Sequence, residues 1–169
     1  MIDKKDLKIV SWLRRNSREN LTKLSRATGI PVSTIFDRIK SNSAGVVNRF
    51  TVLLDYSLLG FGARATLLVK AGSEKHLLRD HLAKCFNVNS LYRVNNGFDF
   101  IAEVVFRDLL EVEDFVGELE LKFGVREWEV HYWIEELRRE QFLSDPAIAD
   151  VVHASWQRRS ETALIDRKI

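Results

Sequence analysis

Five side chains close together in the chain could read a nucleic acid: Ser33, Thr34, Asp37, Arg38 and Lys40. On a helix they point largely away from Ile35 and Ile39, which lie one turn apart on the opposite side. Hydroxyls can bond either base edges or phosphates, a guanidinium can grip guanine at two atoms, and a carboxylate can accept from the cytosine amine. Asp37 is the informative member, because a carboxylate on a groove-facing helix repels phosphate. It makes sense when it accepts from cytosine or positions Arg38, the alternative being a solvated acid with no role. A second set, Arg14, Arg15, Arg18, Lys23, Arg26 and Arg49, could contact phosphates and supply sequence-independent, salt-sensitive affinity.

The elements that must position these residues can be read around them. Residues 21–40, LTKLSRATGIPVSTIFDRIK, spell two short helices joined by a tight turn. Leu21, Leu24 and Ala27 recur at three-residue spacing on the first helix, Gly29 can take the left-handed turn conformation, and Pro31 suits a first helical turn that needs no N–H. The second helix begins near Val32. An additional helix over the first fifteen or so residues carries Leu7, Val10 and Leu13 on one side, with Asp3 and Asp6 near its positive N-terminal end. Packed across the pair, it completes a three-helix domain of helix-turn-helix layout.

Amphipathic helix pairs joined through glycine also occur in domains that touch no nucleic acid, and here charge distribution discriminates. Residues 1–50 hold eleven Lys/Arg against four Asp/Glu, whereas residues 51–169 hold fifteen against twenty, in a chain whose net charge is only +2. The basic excess lies wholly in the segment with the helix pair, the electrostatic footprint of a nucleic-acid module joined to something else.

Other chemistry finds little support. The sequence has no HExxH or CxxC, His76 and His81 fall on different sides of a helix, and His131 and His153 are isolated, so neither a metal nor another cofactor is expected. Gly60-Phe61-Gly62 has no third glycine and no strand-to-helix turn, which argues against a nucleotide loop. Cys85 is the single cysteine; it forms no intrachain disulfide, and its place in Leu82-Ala83-Lys84-Cys85-Phe86 predicts a helix end packed near a core. The first ten residues lack an apolar run of signal length and no segment approaches a membrane span, so the expected location is cytoplasmic.

With 46% apolar residues in 169, the chain can fill one good core or two small ones. Ser41-Asn42-Ser43-Ala44-Gly45 should end the helix pair, and Val46–Leu54 reads as an extended, β-branched linker strand that stays ordered by pairing with its counterpart in a second subunit. From Gly60 the pattern alternates. It predicts a strand at 63–69, a helix at 73–85 with Leu77, Leu78 and Leu82 inward, and a strand at 88–94 ending in the hairpin signal Asn95-Asn96-Gly97. A strand at 98–106, a helix at about 108–123 and a strand at 125–134 with Trp128, Val130, Tyr132 and Ile134 on one side complete a ferredoxin-like βαββαβ unit. Ile101, Val105 and Trp133 on the uncovered sheet face point to a homodimer through the sheets. Beyond Leu137, Ser144-Asp145-Pro146 opens a helix with Ile148, Val151, Val152 and Trp156 at helical spacing. That stripe could dock on the chain's own domain or on a neighbouring subunit, or Arg158 and Arg159 could reach DNA.

The predicted fold is therefore α+β. A three-helix (winged) helix-turn-helix domain (1–45) leads through an extended linker (46–60) to a ferredoxin-like effector and oligomerisation domain (61–137), followed by a helical extension (138–169).

TGIPVSTIFDRIK, followed by GVVNRFTVLLDYSLLGF and NGFDFIAEVVF, resembles the Lrp/AsnC family over residues ~3–135. The resemblance implies a transcription regulator that binds pseudo-palindromic double-stranded DNA as a homodimer, with tetramers or octamers as further assemblies. It also implies an amino-acid effector held by the loop matching Asn96, Gly97, Phe98 and Asp99, where Asp99 would orient the effector's amino group or simply cap hairpin backbone. Where the family continues the recognition helix with a Leu-Glu pair, this chain has Ser41-Asn42-Ser43 and is one residue shorter, so the helix should end early. Two other readings stay open. One is an architectural DNA-binding protein of low sequence preference. The other is a haem-pathway decarboxylase of the same architecture, for which His131 would be the candidate group although the FPL-type motif of those enzymes is absent.

Overall fold

The computed structural model describes residues 2–41 and 45–165, with side chains through Trp156. The chain divides into two compact units, one formed by Met1–Val52 with Leu137–Ile169 and the other by Leu53–Glu136.

In the first unit, α1 (Lys4–Arg15) starts at a reciprocal cap. The Asp3 carboxylate accepts from the Asp6 N–H at 2.8 Å while Asp6 accepts from the Asp3 N–H at 3.0 Å, which satisfies two amides the helix leaves unpaired. Helices α2 (Leu21–Thr28) and α3 (Val32–Lys40) follow, and Asn20 caps the first through the Thr22 N–H. The core between them is Ile9, Leu13, Leu24, Ile30 and Ile35, flanked by Trp12, Leu21 and Ile39. Ala27 is exposed, because strict three-residue spacing drifts off a face that repeats every 3.6 residues; the half-buried Thr28 takes its place.

The last helix, α6 (Pro146–Ile165), belongs to this same unit and packs along α1. Asp145 accepts from the Ala147 N–H at its start, and Asp150 pairs with Lys4 and Lys8. Leu7 and Ser11 share the Lys4/Lys8 face of α1 by helical spacing and are buried although they stand outside the helix-turn-helix core, as α6 packing requires. Among the described side chains of α6 the buried one is Ala149, whereas Ile148 and Val151 of the expected stripe are exposed: a small side chain lets the helices approach.

The second unit is a four-stranded antiparallel sheet in the order β2-β3-β1-β4, built from β1 (Ala63–Lys70), β2 (Val88–Arg93), β3 (Phe100–Phe106) and β4 (Glu127–Tyr132). With α4 (Lys75–Lys84) and α5 (Leu109–Phe123) it follows the βαββαβ order. Every second residue of β1 and β3 is buried. Leu67 and Val69 of β1 and Phe100, Ala102 and Val104 of β3 pack on Leu78 and Leu82 of α4 and on Val112, Phe115, Val116 and Leu119 of α5. The opposite face carries Arg64, Thr66, Leu68, Ile101, Glu103 and Val105, half-buried and covered by no helix of the unit. Leu77 is exposed rather than inward, since Leu78 and Leu82 already fill the α4 stripe. β4 ends at Tyr132, which leaves Ile134 fully exposed. Cys85 is a free thiol at the C-cap of α4, half-buried against the core.

The segment 46–54 forms no strand. Its β-branched composition expresses a propensity that a ladder must complete; the expected ladder is with a second subunit, and in the single chain Val46, Phe50, Val52, Leu53 and Leu54 are exposed. Residues 42–44 of the expected helix stop lie outside the described residues, as do the side chains of Arg158 and Arg159; α3 does end early, at Lys40, with Ser41 as its C-cap. No wing strand is paired among the described residues of the first unit, and no described helix is long and apolar enough to cross a membrane.

Candidate functional site

The turn that sets α3 against α2 is built as its residue types require. Gly29 takes φ +72° and donates its N–H to the Ser25 carbonyl at 2.8 Å, closing α2 in a left-handed cap. Thr28 stitches the turn, its hydroxyl donating to the Leu24 carbonyl while accepting from the Ile30 N–H. Pro31 stands just before α3 in an extended conformation, and no side chain caps that helix.

Ile35 and Ile39 turn α3 onto the core, leaving Ser33, Asp37 and Lys40 exposed and Thr34 half-buried. Phe36 is exposed in the same outward arc, with more than half its surface free. Its spacing from Ser33 and Lys40 is the signal that could have added it to the candidate readers.

Arg38 is turned back instead of outward. Its Nη1 donates to Asp6 at 2.6 Å and to Asp3 at 2.8 Å, tying α3 to the start of α1. The guanidinium is held charged by its hydrogen bonds to Asp3 and Asp6, and Asp3 in turn is pulled down to about 2, first of all by its hydrogen bond with Arg38. The residue nearest an ideal guanine reader is thus spent on bracing the helix that carries the other candidates.

The phosphate-contact candidates divide as well. Arg14 donates to the Glu140 and Phe142 carbonyls and to the Glu140 carboxylate at 2.8 Å, so it clasps the segment leading to α6. Lys23 pairs with Glu19 one turn away, and the Arg15 guanidinium lies 5.9 Å from the centre of the Trp12 ring. Arg18, Arg26 and Arg49 are exposed.

In the second unit the loop between β2 and β3 has Asn96 at φ +69° and Gly97 at φ +104°, closed by a Val94 N–H bond to the Asp99 carbonyl. Asn96 and Gly97 are exposed, Phe98 and Asp99 half-buried. Both Asp99 oxygens are engaged away from the hairpin: Oδ2 accepts from the Ala71 N–H at 2.9 Å, and Oδ1 is in short contact with Lys75 Nζ. The Lys75 ammonium holds the Asp99 carboxyl below the usual carboxylate range, helped by the Ala71 amide and opposed by burial. Asp99 therefore ties the loop to the β1–α4 connection. There Gly72 meets the turn at Gly124 so closely that a Cβ would lie 2.3 Å from the Gly124 carbonyl oxygen.

His131 accompanies Glu129 on β4 at 3.1 Å, and no described group of His, Cys, Asp and Glu could hold a metal.

Comparison with known proteins matches this two-part architecture. A winged helix-turn-helix DNA-binding family accounts for residues 2–41 and the Lrp/AsnC ligand binding domain for residues 65–143. An uncharacterized HTH-type transcriptional regulator of Pyrococcus furiosus is 31% identical over 147 residues, covering 86% of this chain and 99% of the relative. The HTH-type transcriptional regulator FL11 of Pyrococcus horikoshii is 29% identical over 117 residues, covering 68% of this chain and 78% of FL11. Among solved structures, a transcriptional regulator of Neisseria meningitidis in complex with L-Met aligns at a TM-score of 0.75 and 22% identity, over 82% of this chain and 94% of its own. LrpC of Bacillus subtilis aligns at 0.73 and 18%, over 82% and 98%. The solved structures establish the shared fold, and the two family matches follow one another in this order along the chain. The chain belongs to the Lrp/AsnC family of helix-turn-helix transcription regulators.

Proposed function

We propose that this regulator acts in the cytoplasm on double-stranded DNA as a homodimer, reading base edges with Ser33, Thr34, Phe36, Asp37 and Lys40 of α3. The observation that carries the reading is the α2–α3 pair itself: Ile35 and Ile39 are turned to the core, so a continuous outward arc remains unused by the fold. Phe36 suits the methyl group of thymine. The first-turn amides of α3 lack a side-chain cap and suit a phosphate, as do Arg18, Arg26 and Arg49. Arg38 supports the arc by position, without touching a base.

The half-buried sheet face with Leu68, Ile101 and Val105 supports pairing of two copies through their sheets, which would present two α3 helices to two half-sites. An amino-acid effector at the Asn96–Asp99 loop fits the L-Met complexes named among the fold's neighbours. Its ammonium would have to compete with Lys75 for Asp99, so Asp99 serves the site by holding the loop.

The test is affinity selection of fragmented host DNA on the purified protein at ~150 mM salt, which suppresses much non-specific electrostatic binding, followed by sequencing. A few enriched promoter-proximal sites sharing an inverted repeat are expected. Even recovery across the genome would replace specific regulation with an architectural role, and no recovery would overturn DNA binding.

A further inference from the structure

Arg64 is the second residue of β1, on the uncovered face of the sheet, and is gripped from three sides. Its guanidinium carbon lies 4.4 Å from the centre of the Trp133 ring and 5.2 Å from that of Tyr56, and Nη2 donates to the Glu136 carboxylate at 2.6 Å. The partners are themselves held. Trp133 donates its ring N–H to the Thr66 hydroxyl and its backbone N–H to the Arg64 carbonyl, both at 2.8 Å, and the Tyr56 hydroxyl donates to Asn89. The Arg64 Nε is buried with no acceptor, a cost accepted by a side chain that contributes nothing to the helix-covered core on the other face.

The position of the partners gives this cluster its meaning. The sheet unit begins at Leu53 and ends at Glu136, and the polypeptide passes between this unit and the DNA-binding unit at those two places, because α6 returns to α1. Tyr56 lies just inside the incoming crossing; Trp133 and Glu136 lie at the outgoing one. One guanidinium therefore fastens both.

We propose that Arg64 is a positioning residue for DNA binding, a latch that holds the two crossings at a single point of the sheet unit. With both fastened, the second DNA-binding unit of a dimer stays at high effective concentration over its half-site; with both loose, that advantage is diluted. The consequence at DNA rests on the function proposed above, whereas the latch itself can be read without DNA.

Full-length Arg64→Ala, Arg64→Lys and Tyr56→Leu proteins would be compared with the native chain by limited proteolysis beside apolar residues, by thermal melting, and by binding to selected duplexes carrying two half-sites or one. In Arg64→Ala, cleavage within 46–56 and within 134–145 should rise together by roughly tenfold while melting of the sheet unit is unchanged. Affinity for two half-sites should fall about tenfold, with affinity for one half-site retained. Lysine can still pair with Glu136 but has no flat fork to lie between two rings, so Arg64→Lys should loosen the incoming crossing alone, and Tyr56→Leu should do the same. Unchanged cleavage in all three variants would overturn the latch, and so would cleavage that rises only in step with lost melting temperature. If Arg64→Ala does not fold, Tyr56→Leu decides, its incoming crossing either loosened at unchanged melting or not. A proteolytic latch in a native protein that retains no DNA would leave the latch standing and overturn the DNA function.

Discussion

Arg38 shows how a side chain of the right type can be claimed by the fold. Asp6 is almost fully buried and receives the shorter of its two bonds, so removing the guanidinium leaves a buried carboxylate without its partner. Arg38→Ala should cost about 1–3 kcal/mol in denaturant unfolding of the DNA-binding unit, and Asp6→Asn should be similar. Exposed Arg26→Ala should instead weaken all DNA sequences alike and lower the salt slope by about one unit, with stability intact. Asp3 adds a pH signature. Its folded value of about 2 lies below the ordinary 3.8, so the stability it contributes is fully present above the ordinary value and is lost as pH falls from about 4 toward 2. The carboxylate is half exposed and the step correspondingly small; an Asp3→Asn protein should show a flatter acid limb in pH-dependent melting. At the loop, Asp99→Asn keeps an acceptor for the Ala71 amide and Asp99→Ala does not. If Asp99 holds the loop, ligand-induced melting shifts across a panel of amino acids should survive in the former and vanish in the latter. Loss in both would return Asp99 to direct contact with the effector.

Elements whose signals are local were legible in the sequence. Gly29 and Pro31 mark the α2–α3 turn, Asn96-Gly97 supplies the positive φ angles of the β2–β3 loop, and the alternation from Phe98 to Phe106 matches the buried face of β3. The misread elements depend on something distant. Ile148 and Val151 fit a helical stripe that Ala149 displaces, and neither Asp3 nor Asp6 announces that Arg38 will reach them. Close approach is equally invisible from composition. Gly72 is needed for the Gly124 carbonyl beside it rather than for its own turn, since a Cβ there would meet backbone that cannot swing aside. Gly72→Ala should destabilise the sheet unit by about 1–3 kcal/mol, read as a lower melting transition of that unit, while Gly117→Ala, with open space around it, should not.

At the scale of the whole molecule, α6 changes what the DNA-binding unit is. Deleting residues 145–169 would uncover Leu7 and release Lys4 and Lys8 from Asp150. The expected loss is about 2–4 kcal/mol from apolar burial, confined to the transition of the unit that contains α1; an unchanged transition would show that α6 rests on α1 without supporting it. The segments that build this unit flank the sheet unit in sequence, and order of synthesis then matters. A ribosome releases α1, α2 and α3 first and the whole sheet next, and only afterwards the helix against which α1 packs. Contacts between residues this far apart are slow to form. Until they do, the nascent chain carries a sheet unit whose segments have all emerged and a DNA-binding unit that still lacks its last helix, so the unit begun first is completed last.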